Sequence, residues 1–209
     1  MTDWLDLQAR AAALYDEVLP AVTDWDAPTP CRDWSAREVL AHVVDEQLWV
    51  PGLLAGGTVD EVADDLSDRL RRLHGASGPD LVADWFAIRP PVAAAWRGSR
   101  VDDEDTVVHL SYGTAPARHY LAQQTFDLAV HAWDLAASQR MDLQWGDELD
   151  RAVLEFVRAD LSDDPAPELF DPPVPGYQDT GAPARDTTLA LTGREPGAWP
   201  VDPSVGRPV

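Results

Sequence analysis

Ser35-Ala-Arg-Glu-Val-Leu-Ala-His42-Val-Val-Asp-Glu46 and Thr125-Phe-Asp127-Leu-Ala-Val-His131-Ala-Trp133-Asp134-Leu-Ala136 are the stretches on which the reading of this chain turns. The first opens with Ser35 three residues ahead of Glu38, a capping box in which the two side chains satisfy backbone donors left over at a helix start. Trp34 and Val39 stand at the positions of a hydrophobic staple. The pattern predicts a helix over 36–55, stopped by Gly56-Gly57. The second stretch lies in a long helix predicted over 115–138. Asp127 and His131 are i and i+4 there, so both side chains leave one face about 5–6 Å apart. A carboxylate and an imidazole so spaced can grip one divalent metal, with His42 of a facing helix as third ligand. Three protein ligands leave one coordination position open, which is the mark of a working metal.

The residues alone keep other readings open. Asp127 and His131 can be a hydrogen-bonded pair without metal, since a buried carboxylate needs some partner. Asp134 can orient the His131 imidazole, or it can bind an arginine or a backbone amide of the 28–34 loop. Glu46, one turn past His42, is a rival fourth ligand, although Asp45 and Glu46 also read as solvated. A two-His, two-carboxylate set would resemble a non-haem iron or di-metal site. His74 ends a polar helix as a cap. His109 alternates in a short strand, and His119 lies two turns before Asp127. Arg89 offers an anion contact. Cys31 reads as a small packing residue rather than a nucleophile.

Outward from these stretches the pattern is helical. Trp4, Leu7, Ala11, Leu14 and Val18 form one stripe of a helix over 4–22. Thr58 and Glu61 cap a short crossover helix reaching Leu73, acidic first and basic last, as the helix dipole favours. A helix follows over 79–96, with a kink or break expected at Pro90-Pro91 because proline removes a backbone donor. Residues 101–105 read as an acidic loop, 106–111 as a short strand, 112–114 as a turn, and 145–161 as an amphipathic helix. Residues 163–183 read as an extended arm rich in Pro and Asp, with one helical turn or more from Thr187. The expected architecture is an all-α bundle over 1–162 with a Pro-rich arm, 163–209, packed on the same domain.

Composition narrows the function. The chain has 209 residues, 45% of them hydrophobic, enough for one core. Its 37 acidic and 16 basic residues give a net charge of −21, which argues against nucleic acid and against an anionic membrane face. All the basic residues are arginine and asparagine is absent, as high-GC codon usage produces. The single cysteine excludes an internal disulfide. No signal-peptide pattern and no apolar run long enough to span a bilayer is present, so a cytoplasmic protein is expected. Gly-rich phosphate loops, nucleophile elbows and His-Glu-x-x-His are also missing.

Thr29-Pro-Cys31-Arg-Asp-Trp34-Ser-Ala-Arg-Glu-Val-Leu40-Ala-His42-Val and Asp127-Leu-Ala-Val-His131-Ala-Trp133-Asp134-Leu-Ala resemble the two helical signatures of the DinB-like superfamily. Within it they are similar to metal-binding proteins related to mycothiol-dependent maleylpyruvate isomerase. Phe170-Asp-Pro-Pro-Val-Pro175 and Leu189-Ala-Leu-Thr-Gly193-Arg-Glu-Pro196 resemble the end of short members lacking the isomerase's C-terminal domain. The resemblance implies an up-down-down-up four-helix bundle with a long crossover and an actinobacterial source. It implies a divalent metal, zinc foremost, on His42, Asp127 and His131, with Asp127 where the isomerase has the longer Glu. It further implies mycothiol as thiol cosubstrate for a transferase or isomerase acting on a small-molecule substrate, in a chain that can pair as a homodimer. A non-catalytic metal-binding or sensing bundle is the alternative.

Overall fold

The computed structural model describes residues 2–160, 170–177 and 181–199. Its described elements are α1 (Trp4–Val18), α2 (Ala36–Leu54), α3 (Val59–Leu73), α4 (Gly78–Gly98), β1 (Val107–Leu110), β2 (Gly113–Pro116), α5 (Ala117–Ser138), α6 (Asp147–Asp160) and α7 (Ala184–Leu191), with short 3₁₀ turns at Leu19–Ala21 and Pro196–Ala198. The fold is all-α with one small hairpin. Four long helices, α1, α2, α4 and α5, make the bundle, and α3 crosses over between α2 and α4. Helix α1 lies on α5, and α2 lies on both α4 and α5.

The capping signals act as read. Ser35 N–H donates to Glu38 Oε2 at 2.8 Å and Thr58 N–H to Glu61 Oε2 at 2.9 Å, each with the reciprocal bond. A third box, Ser77 with Asp80, opens α4 and was not anticipated. His74 is the C-cap of α3. The expected break at Pro90-Pro91 does not occur, and α4 runs through both prolines. Both are exposed, so the carbonyls they leave without donors lie on the solvent side. Ile88, Val92 and Trp96 are buried on the opposite face and hold the helix to its course.

The strand expected over 106–111 is β1. Residues 113–116, read as a turn and a helix start, instead form its antiparallel partner, with Val107 opposite Pro116 and Leu110 opposite Gly113. Gly113 takes φ +133°, a region L side chains avoid. The hairpin closes one end of the core, where Val50, Leu53, Val92, Trp96, Val108 and Leu121 pack. The larger cluster fills the bundle between α1, α2, α4 and α5 and takes in Leu149 and Val153 of α6 and Leu189 of α7.

Of the expected arm, 163–169, 178–180 and 200–209 lie outside the described residues. The stretch 170–177 lies against α7 and the turn after it: Val174 N–H donates to the Ala190 carbonyl at 2.8 Å. Gly193 takes φ +79°, and a Cβ there would stand 2.3 Å from Asp171 Cβ. Asp171 also pairs with Arg32 at 2.9 Å, which ties the arm to the loop before α2. Among the described residues no helix is long and apolar enough to cross a membrane.

Candidate metal centre

Helix α2 carries His42 and helix α5 carries Asp127 and His131, and their packing brings the three side chains together. His42 Nε2 lies 3.2 Å from Asp127 Oδ1, and His131 Nε2 lies 3.4 Å from the same oxygen. The imidazole rings stand edge to face with centroids 4.9 Å apart. Trp34 covers both, 4.9 Å from His42 and stacked 5.8 Å from His131. The His42 side chain is 27% exposed and that of Asp127 23%, against 9% for His131, so the cluster opens to solvent on its His42 side. Asp127 Oδ2 is buried and accepts no hydrogen bond from the described residues.

Behind His131 stands a chain of fixed charges. His131 Nδ1 lies 2.9 Å from Asp134 Oδ2. Arg194, from the turn after α7, forks onto Asp134 through Nε to Oδ1 at 3.3 Å and Nη2 to Oδ2 at 2.9 Å. Arg194 also donates Nη1–H to the Thr192 carbonyl at 2.9 Å. Both uses read from the sequence for Asp134, orienting the imidazole and binding an arginine, therefore hold at once. Trp34, read as a staple residue, is also the wall of the site. Arg194 was missed: it lies sixty residues beyond Asp134 in sequence, and no spacing rule connects them.

These neighbours set the charges. Burial alone would raise the Asp127 carboxyl, but His42 and His131 outweigh it and hold it well below the usual carboxylate range. Burial would lower His131, yet Asp127 and then Asp134 raise it to about 9. Burial would likewise raise Asp134, and Arg194 and His131 hold it down. Glu46 is pushed up by burial and by Asp127.

Glu46 is half-buried rather than solvated and accepts from Gln124 Nε2 at 3.2 Å; it stands outside the compact ligand cluster. Asp45 accepts from Trp49 Nε1 at 3.0 Å. Cys31, His131 and Asp134 form a second close group, but there the Asp134 oxygens are committed to Arg194 and His131. Burial, with Asp134 adding, pushes the Cys31 thiol up to about 12, so it stays protonated. The other histidines stand apart: His109 faces Thr114 at 3.3 Å and His119 faces Asp160 at 3.5 Å. Arg89 pairs with Asp16 and lies 5.8 Å over the Trp85 ring.

The separations at the cluster suit a small tetrahedral ion. Metal–ligand bonds of about 2.0–2.2 Å at tetrahedral angles put neighbouring donors roughly 3.3–3.6 Å apart. The two His–Asp distances, 3.2 and 3.4 Å, match that edge, and the unpaired Asp127 Oδ2 leaves the carboxylate free to adjust.

Residues 4–136 match the family described as mycothiol maleylpyruvate isomerase N-terminal domain. Two uncharacterised proteins from two strains of Mycobacterium tuberculosis are each 28% identical over 134 residues, 63% of this chain and 64% of theirs. The matched stretch thus spans under two thirds of those relatives. Among solved structures, a histidine-to-alanine variant of mycothiol-dependent maleylpyruvate isomerase superposes with a TM-score of 0.60 at 18% identity, over 75% of this chain and 67% of that one. At that identity the likeness establishes the fold.

Proposed function

This chain belongs to the mycothiol maleylpyruvate isomerase N-terminal domain family, and on that premise we propose that it is a metal-dependent thiol enzyme, with His42, Asp127 and His131 holding one divalent ion, zinc, and mycothiol as the thiol. The carrying observation is the convergence of both His Nε2 atoms on Asp127, whose second oxygen is buried without a partner among the described residues. A divalent ion there would lower the pKa of a bound thiol, so that a thiolate exists near neutral pH.

The protein's own residues prepare that chemistry. Asp134, fixed by Arg194, accepts the His131 Nδ1–H in a hydrogen bond and so fixes the ring with Nε2 toward the metal position, where a metal would displace the Nε2 proton. Asp127 is already ionised and needs no proton removed. The shorter Asp127, where the isomerase has Glu, sits close beneath the two imidazoles. Trp34 shields the cluster on one side and leaves the His42 side open for a thiol and a small electrophile. Glu46, with its raised affinity for a proton, stands on the His42 face of α2 to take up the one a thiol gives off. A thiolate adding to a carbon of an electron-poor double bond would form a C–S bond as the π pair moves onto the conjugated carbonyl as an enolate. If carbon then takes up a proton and the C–S bond persists the reaction is S-transfer; if the molecule rotates about the former double bond and the enolate pair re-forms it by expelling the thiolate, the reaction is isomerisation.

Cobalt-loaded protein titrated with mycothiol tests the reading. Sulfur-to-cobalt charge transfer and release of a proton are expected. Unchanged spectra at saturating mycothiol, with cobalt bound, would remove the thiol from the account. Equal metal content in the wild type and His131→Ala would remove the ligand set.

A further inference from the structure

The bundle closes tightly along α1–α5 and α2–α4 but not between α1 and α4. A cavity of about 440 Å³ lies in that seam, walled by Leu5, Ala9 and Ala12 of α1 and by Ile88, Val92 and Ala93 of α4. That volume falls within the range of small-molecule sites. It exists because alanines stand where larger side chains would meet across the seam. The sole α2 residue on its wall is Gln47, buried and hydrogen-bonded to Gln124. The His–Asp–His cluster lies between α2 and α5 and contributes nothing to this wall.

The polar groups at the seam are biased toward donors. Trp85 and Trp96 line its α4 side, each 1% exposed, and their indole Nε1–H groups have no acceptor among the described residues. Gln8 adds an amide, while the Gln47 Nε2–H is already given to Gln124 Oε1. At the edge stand Arg89, paired with Asp16, and Arg97, exposed and without an ion-pair partner among the described residues. Among the described residues Asp6 is the one acid on the wall, and it is held by Arg10 at 2.7 Å. In a chain of net charge −21, a mouth with two guanidinium groups is a local exception.

We propose that the α1–α4 seam is a second small-molecule site, separate from the metal centre, which takes an amphipathic carboxylic acid. The apolar body lies between Ala9, Ala12, Ile88 and Val92. The carboxylate points outward to Arg97, with Arg89 beside it. An apolar wall rewards burial of the hydrocarbon, and the arginine edge selects an anionic over a neutral head.

Calorimetric titration of the full chain with decanoate, below its micelle concentration, tests this. Saturable one-to-one binding is expected, equal in zinc-loaded and chelator-treated protein. Ala93→Leu, which fills the seam, should weaken binding at least about tenfold. Arg97→Glu should weaken decanoate about fivefold and leave neutral decanol unchanged. If Ala93→Leu does not fold, Ala9→Leu on the exposed edge of the seam gives the same reading. Absence of saturable binding overturns the proposal. So does binding that requires zinc, which would put the carboxylate on the metal, and so does wild-type affinity in a folded seam-filling variant. Absent binding and wild-type affinity in a seam-filling variant leave the thiol chemistry untouched, because the seam shares no residue with the candidate metal centre, whereas zinc-dependent binding would overturn the seam alone by placing decanoate at the metal's open position.

Discussion

Arg194→Met isolates the charge that steadies the candidate metal centre. In the wild type the Arg194 side chain is 7% exposed and Asp134 is fully buried, and the guanidinium makes two of the three polar contacts that satisfy the carboxylate. Removing it leaves a buried anion with His131 Nδ1 as its sole partner. Breaking a buried pair from one side costs about 3–5 kcal/mol, because the remaining charge cannot be solvated. For a chain of this size that lowers the melting temperature by roughly 6–20 °C. Asp134 would also turn or take up a proton, and His131 would lose its fixed orientation, so zinc affinity should fall about 10–100-fold. Urea melts and competitive chelator titration measure the two effects. The double variant Arg194→Met with Asp134→Leu should recover much of the stability, since the orphaned Asp134 carboxylate is removed along with its partner, but not the zinc affinity. A single variant within about 1 kcal/mol of wild type, well below the cost of an orphaned buried ion, would refute the reasoning.

Three further outcomes are expected. Asp127→Ala should lose far more zinc affinity than Glu46→Ala in a chelator competition; the reverse order would place Glu46 in the ligand set. Metal-free protein should be most stable between about pH 4 and 6.5: His131 is raised to about 9 when folded, so its contribution is complete below its unfolded value and is lost as pH rises through 9, while depressed Asp127 contributes above its unfolded value and is lost as pH falls below it. Urea midpoints that stay flat from pH 6 to 10 would contradict this, and zinc binding at pH 7.5 should release the His131 proton, read from heats in buffers of different ionisation enthalpy. Gly193→Ala should destabilise the chain by about 1–3 kcal/mol, because φ is positive and the new Cβ would collide with Asp171; an unchanged thermal midpoint would show that the arm yields freely.

The helices and their starts were legible in the sequence because caps and apolar stripes act over three or four residues. Ser35 with Glu38 and Thr58 with Glu61 needed no tertiary partner to declare themselves. The Asp127–His131 pairing was legible for the same reason, since one helix face fixes both. Their meeting with His42 was an expectation read from two helices that each offer a histidine inward and carried further by the family resemblance, and only the packing of α2 on α5 placed Nε2 of His42 3.2 Å from Asp127. At Pro90-Pro91, where a kink or a break is expected, α4 is unbroken: burial of the opposite face against the bundle keeps it whole. The β2 strand escaped notice because Gly113–Pro116 has little strand propensity, and it is drawn in by pairing with β1. Asp134 carried two readings until Arg194 arrived from sixty residues away and satisfied both. Local patterns determined the elements and the Asp127–His131 pair of the candidate metal centre. The tertiary structure decided the rest, because the contacts that complete it join residues with no common helix, and a chain reveals such contacts only when it is folded.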